Sequence, residues 1–215
     1  MDDKHTFQLK GIYLVVGHQE ANLHGLDETI VDAVHGGISM IQIREKLGDT
    51  QALVEQAKSI KSYLSGKNIP LIINDRIDIA LKSGADGVHL GQSDLPPEDA
   101  RELLGPKAII GLTVNSLAQL EKGDQSTADY LACGSVFPTV TKKNISAIWG
   151  IEELSKARKM TSKPLFAIGG INENNLAEVA ATGVDGIAVI SAICQAQNVE
   201  KATGQLVSLF HKHSP

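Results

Sequence analysis

Cationic, hydroxyl and acidic side chains gather in a few short stretches of this 215-residue sequence. In QIREK, Gln42, Arg44 and Lys46 alternate with Ile43 and Glu45, so the three share one face of an extended segment while Ile41 and Ile43 take the other. IIND ends in Asn74-Asp75, GQSDLPPED carries Asp94, and GLTVNS carries Thr113. FPTVTKKN sets Thr139, Thr141, Lys142 and Lys143 directly after an apolar run. AIGG closes on Gly169-Gly170 and AVIS on Ile190-Ser191, each before an expected helix. Such cations suit phosphorylated ligands, and backbone N–H groups at a helix start favour a phosphate. Two carboxylates among cations, Asp75 and Asp94, suit a hard divalent ion such as Mg²⁺, which uses few protein ligands and completes its shell with water and phosphate oxygens. Each stretch also has a plainer reading: a helix cap for Asp75, an Asx turn for Asp94, a solvated loop for 139–143.

Short apolar, β-branched runs alternate with amphipathic stretches along the chain. Strands are expected at GIYLVV from Gly11, MIQIRE from Met40, PLIIND from Pro70, GVHLG from Gly87, AIIGLT from Ala108, YLACGS from Tyr130, PLFAIGG from Pro164 and GIAVIS from Gly186. DTQALVEQAKSIKSYL reads as a helix capped at Asp49 or Thr50, and NENNLAEVAATG as one that starts at the cap Asn172 and stops at Gly183. Eight strand-helix units imply a parallel sheet, and eight suffice to close a (β/α)8 TIM barrel over residues 1–215 as one domain. A doubly wound open sheet is the rival. On a barrel, chemistry gathers at the C-terminal ends of strands, where all the residues above fall. SGADGVHLG and TGVDGIAVI place Asp86 and Asp185 at the opposite ends, which assigns both a structural turn role.

With 42% hydrophobic and 21% charged residues the composition is ordinary for a globular chain, and a net charge of -5 argues against a nucleic-acid backbone as partner. Cys133 and Cys194 read as buried thiols of a reducing compartment. MDDKHTFQLKG lacks an apolar signal core and no run is long enough to span a bilayer, so the expected setting is cytoplasmic, with no membrane partner. A homo-oligomer is compatible with the sequence. No Walker loop, dinucleotide fingerprint or GxSxG elbow occurs. His89, mid-strand, reads as a satisfied core histidine; His211 and His213 read as a frayed tail; the single Trp149 offers no stacking platform for single strands.

Taken together, QIREK, IIND, GVHLGQSD, FPTVTKKN, AIGGI and VISAI resemble, in order, the signature blocks of the thiamine-phosphate synthase family. The resemblance implies a (β/α)8 fold and a Mg²⁺-dependent transferase that joins 4-amino-2-methyl-5-pyrimidinylmethyl diphosphate to a thiazole phosphate, giving thiamine phosphate and pyrophosphate. It implies that Gln42, Arg44, Lys46, Asn74, Thr113 and Lys142 hold the pyrimidine diphosphate, with Arg44, Lys46 and Lys142 catalytic. Asp75 and Asp94 would ligate Mg²⁺. Thr139, Thr141, Gly170, Ile190 and Ser191 would hold the thiazole phosphate. Thr113 stands where the family commonly has Ser, Asn115 where it often has His, and Ser135 where Pro is usual. A thiazole tautomerase of the same fold and a non-catalytic phosphate-binding barrel are the alternatives. Asn115 in place of a proton-transferring His disfavours the first, and the paired carboxylates disfavour the second.

Overall fold

The computed structural model describes residues 7–45, 48–139 and 148–215. In chain order the elements are β1 (Gly11–Val16), α1 (Leu26–His35), β2 (Met40–Ile43), α2 (Thr50–Tyr63), β3 (Leu71–Asn74), α3 (Ile77–Ser83), β4 (Gly87–Leu90), α4 (Pro97–Leu104) and β5 (Ile109–Val114). They continue with α5 (Leu117–Gln125), β6 (Tyr130–Gly134), α6 (Gly150–Met160), β7 (Leu165–Ile168), α7 (Leu176–Ala180), β8 (Gly186–Val189), α8 (Ser191–Cys194) and α9 (Val199–His213). The strands pair in sequence order, all parallel, and β1 closes on β8. The open-sheet rival is thereby excluded. Among the described residues no helix is long and apolar enough to cross a membrane.

Alternation along each strand builds two layers. Ile12, Leu14 and Val16 of β1 point outward to the helices, with Ile41 and Ile43 of β2. Tyr13 and Val15 point inward, where they meet Met40, Ile72, Ile109, Tyr130 and Phe166. Three aromatic rings plug the barrel: Tyr13 and Tyr130 lie 5.5 Å and 5.2 Å from Phe166, edge to face. Room for them comes from glycine. A methyl group on Gly111 would fall 2.1 Å from the Tyr130 ring, and one on Gly186 would fall 2.2 Å from Phe166.

Helix α2 begins at Asp49, whose carboxylate accepts the Ala52 N–H, and buries Val54, Ala57 and Ile60. The expected helix from Asn172 to Gly183 is shorter. Asn172 and Asn175 instead hydrogen-bond neighbouring backbone in a turn, and α7 starts only at Leu176. His211 and His213 belong to the last turn of α9 rather than to a frayed tail. Trp149 is buried and donates its indole N–H to Val114 O at 3.2 Å. Both cysteines are buried and free, and burial pushes each thiol up to about 12.

At the N-terminal face one device recurs every second strand. Asp86, Asp129 and Asp185, each just before a strand, accept a backbone N–H from the start of the preceding, neighbouring strand, from Leu71 of β3, Ile110 of β5 and Leu165 of β7, at 2.8 Å. Each also pairs with a cation from a helix: Lys61 of α2, Arg101 of α4 and Arg158 of α6. Ser39 takes the equivalent place before β2, its N–H reaching Ile12 O at 2.8 Å. Asp86 and Asp185 thus hold strand starts, the turn role their spacing indicates. The Asp129 and Arg101 side chains are only 6% and 14% exposed. Removing one partner leaves the other charge buried, so Asp129→Ala is expected to lower unfolding stability by about 3–5 kcal/mol in urea titrations. A loss within the range of an exposed pair, about 1 kcal/mol or less, would contradict that assignment.

Candidate active site at the C-terminal mouth

Because the strands are parallel and short, their ends deliver side chains to one mouth, which opens on a cavity of about 360 Å³. Gln42, Arg44, Asn74, Asp75, Asp94, Thr113, Thr139, Gly170, Ile190 and Ser191 all line it. Lys46, Thr141 and Lys142 lie outside the described residues, as does the 140–147 part of the loop. Every described residue singled out from sequence for the site therefore reaches a single cavity.

Arg44 continues the inward face of β2 beyond Gln42, and is the one cation among the described residues lining the cavity. Its Nη1 lies 3.6 Å from Glu20 Oε1, a partner from the β1–α1 loop that no sequence pattern indicates. Glu45 turns the other way and accepts from His18 through its backbone N–H at 2.6 Å, with ring Nδ1 at 2.7 Å.

Asp75 follows β3 in the left-handed backbone region, φ 59°, which Asp tolerates better than most residues. Its N–H reaches His89 O at 2.9 Å, so the pairing with β4 holds it in place. The helix that follows starts from Arg76 without a side-chain cap, so Asp75 does not serve as one. Asp94 Oδ2 accepts the Gly91 N–H at 2.7 Å, a bond back to the start of its own loop rather than the bond two residues onward of an Asx turn, and Asp94 also meets the Asp75 carboxyl. Asp75 is open to solvent at the rim, yet its carboxyl is pushed up to about 6. Loss of hydration is the largest cause, then the hydrogen bond to Asp94 and that group's charge; Asn74 and Arg44 oppose the shift. Enough protein surrounds the carboxyl for desolvation to lead although the residue as a whole is exposed.

This donor set fits a divalent cation. Two carboxylates face each other at a cost that a bound ion removes. Among the described residues no group of three or more His, Cys, Asp or Glu side chains could complete a cage. An ion held here by Asp75 and Asp94 must take its other ligands from water and substrate, as Mg²⁺ does.

The far wall is backbone. Gly169 (φ 106°) and Gly170 (φ 68°) let β7 run against the β6 loop: a Cβ on Gly169 would sit 1.8 Å from Ser135 Oγ, and one on Gly170 2.6 Å from Pro138 O. They do not introduce a helix directly, because α7 begins six residues after Gly170. Ser191 does open a helix, the four-residue α8. The Ser135 hydroxyl is buried without a hydrogen-bond partner among the described residues.

Beneath these groups lies a floor that the sequence did not announce. Gln42, Tyr13, Tyr130, His89 and Thr113 form a continuous hydrogen-bonded chain from β2 to β5. His89 is buried and bonded, as a core histidine should be, but it also lines the cavity. The available signal was modest: all five are polar side chains on inward-facing strand positions, where apolar packing is the rule.

Fold and cavity together define a (β/α)8 barrel enzyme with its site at the C-terminal mouth of the strands. Comparison with known proteins makes this specific. The family model described as thiamine monophosphate synthase matches residues 12–193, and the chain belongs to that family. A thiamine-phosphate synthase from Vibrio parahaemolyticus is 48% identical over 199 residues, covering 93% of this chain and 97% of that one. One from Clostridium botulinum is 41% identical over 197 residues, covering 92% and 96%. The solved thiamine phosphate pyrophosphorylase from Pyrococcus furiosus superposes with a TM-score of 0.87 at 38% identity, covering 95% and 96%. A 3-hexulose-6-phosphate synthase from Salmonella typhimurium, 17% identical with a TM-score of 0.67 and coverage of 94% and 99%, shares the fold alone. The chain is a transferase that synthesises thiamine phosphate.

Proposed function

We propose that the cavity joins 4-amino-2-methyl-5-pyrimidinylmethyl diphosphate to a thiazole phosphate with the help of Mg²⁺, releasing pyrophosphate. The observation that carries this reading is the acid pair Asp75–Asp94 within electrostatic reach of Arg44 on one cavity wall. A site for a single phosphate needs cations or backbone N–H groups; it has no use for two facing carboxylates. A diphosphate that arrives with a divalent ion uses both.

On this reading Asp75 and Asp94 hold the ion, which when bound supplies Lewis-acid stabilisation of the departing diphosphate. Arg44, with Lys46 and Lys142 assigned from the family resemblance, neutralises the same leaving group and is thus catalytic. Gln42, Asn74 and Thr113 fix the pyrimidine diphosphate. Thr139 and Thr141, with the backbone of Gly170, Ile190 and Ser191, hold the thiazole phosphate. The bond between the pyrimidine methylene and the diphosphate oxygen breaks with both electrons going to oxygen. The resulting cation is stabilised by the aminopyrimidine ring and captured by the lone pair of the thiazole nitrogen. No protein nucleophile is consumed, and the chain's task is to orient the acceptor and concentrate positive charge where the oxygen leaves. The lack of a Ser, Cys or His nucleophile–base arrangement in this reading follows from that chemistry.

The test is to incubate the full chain with both substrates and Mg²⁺ and assay thiamine phosphate by chromatography. Product is expected with Mg²⁺, none after chelation, and full recovery on adding Mg²⁺ back. Product that forms equally in the presence of the chelator would refute the metal assignment while leaving the transferase activity in place.

A further inference from the structure

The chain of hydrogen bonds under the cavity has a direction. Gln42 Nε2 lies 2.7 Å from Tyr13 Oη and can only donate. Tyr13 therefore accepts there, and its single proton is left for Tyr130 Oη at 2.9 Å. The Tyr130 proton goes on to His89 Nδ1 at 2.9 Å, so that nitrogen is the unprotonated one. His89 Nε2 then carries the ring proton and donates it to Thr113 Oγ1 at 2.7 Å. The Thr113 hydroxyl keeps its own proton for the cavity, and with one of its two Nε2 hydrogens held by Tyr13 the Gln42 amide is fixed in orientation, its carbonyl oxygen left to accept beside the second N–H. Burial raises the titration of both phenols well above the ordinary tyrosine range, so each remains a one-proton link. Gly111 makes the central contact achievable, since a Cβ there would fall 2.4 Å from Tyr130 Oη and 2.5 Å from His89 Nδ1.

We infer that Tyr13, Tyr130 and His89 are positioning residues which present Gln42 to the ligand as a hydrogen-bond acceptor and Thr113 as a donor. The inference rests on the proposed reading of this cavity. An acceptor at Gln42 matches the exocyclic amine of an aminopyrimidine, and a donor at Thr113 matches a diphosphate oxygen. The two ends of one substrate are thereby read by one relay through the barrel. Its members come from five strands, so any shift of one strand is felt at both ends.

The experiment combines NMR and kinetics on the full chain. With ¹⁵N-labelled histidine, and the His89→Asn variant to assign the signal, His89 is expected as the neutral form with Nε2 protonated and Nδ1 a hydrogen-bonded acceptor. Tyr130→Phe should displace the Nδ1 signal and raise KM for the pyrimidine diphosphate by about tenfold, with KM for the thiazole phosphate unchanged. Tyr13→Phe should raise the same KM and leave the His89 signal in place, because it cuts the relay on the Gln42 side only. A His89 protonated on Nδ1, or an equal rise in both KM values, overturns the inference. Should Tyr130→Phe fail to fold, the wild-type tautomer and the Tyr13→Phe kinetics decide alone. Absence of product with wild-type protein would overturn the site reading itself, which is a different outcome from an active enzyme whose His89 carries its proton on Nδ1.

Discussion

Replacing Asp94 by asparagine is expected to cut thiamine phosphate formation by about 10³-fold or more at saturating Mg²⁺. The same variant, without Mg²⁺, should unfold at the wild-type denaturant midpoint or slightly above it, because the repulsion on Asp75 is relieved. Asparagine keeps an oxygen that can accept the Gly91 N–H, the 2.7 Å bond that shapes the loop after β4. What it removes is the charge facing Asp75. One carboxylate then remains where two would hold the ion, and the diphosphate must leave with much less of its developing charge offset. Rate measurements across a Mg²⁺ titration check this: the loss should persist at high Mg²⁺, because the second ligand cannot be restored by mass action. Wild-type turnover in Asp94→Asn would reduce the pair to turn-forming residues.

The second large effect belongs to Arg44. Arg44→Gln should lower kcat/KM for the pyrimidine diphosphate by about 10²–10³-fold, since it deletes a preorganised cation at the leaving group. KM for the thiazole phosphate should not move. Glu20 makes the prediction sharper. With Arg44 gone, the Glu20 carboxylate 3.6 Å from its former partner is left unpaired where an anion must bind. The double variant Arg44→Gln/Glu20→Gln should therefore recover part of the activity that the single variant loses. No recovery would mean that Glu20 is remote from the bound diphosphate and that the pair serves only to support the loop.

How much of this could be read from the chain alone depends on the range of the interactions. All eight strands lie where period-two apolar runs put them, because burial of Ile12, Leu14, Ile41 or Ile43 against helices is a local pattern with a local cause. The site residues at strand ends followed, since parallel pairing carries Gln42, Asn74, Thr113 and Ser191 to the same rim once the barrel closes. Helix limits were less legible at 172–183, where Asn side chains bond the backbone and compete with the first helical turn. The relay was not legible. Tyr13 and Tyr130 are 117 positions apart, and each alone looks like ordinary β-strand filler; only closure of the barrel brings their hydroxyls to 2.9 Å. Glu20 escaped for a similar reason, as a loop acid with no periodicity to mark it. The roles of Lys46, Thr141 and Lys142 rest on family resemblance, because these residues fall outside the described part of the chain.

The most direct measurement is a crystal structure of the full chain with thiamine phosphate, pyrophosphate and Mg²⁺ bound. Pyrophosphate should lie against Arg44, with the ion at about 2.1 Å from carboxylate oxygens of both Asp75 and Asp94. The phosphate of the product should meet the backbone of Gly170, Ile190 and Ser191. Ligands seated instead in the groove at the opposite end of the barrel, between Gly11 and Phe210, or a metal that touches neither aspartate, would contradict the account.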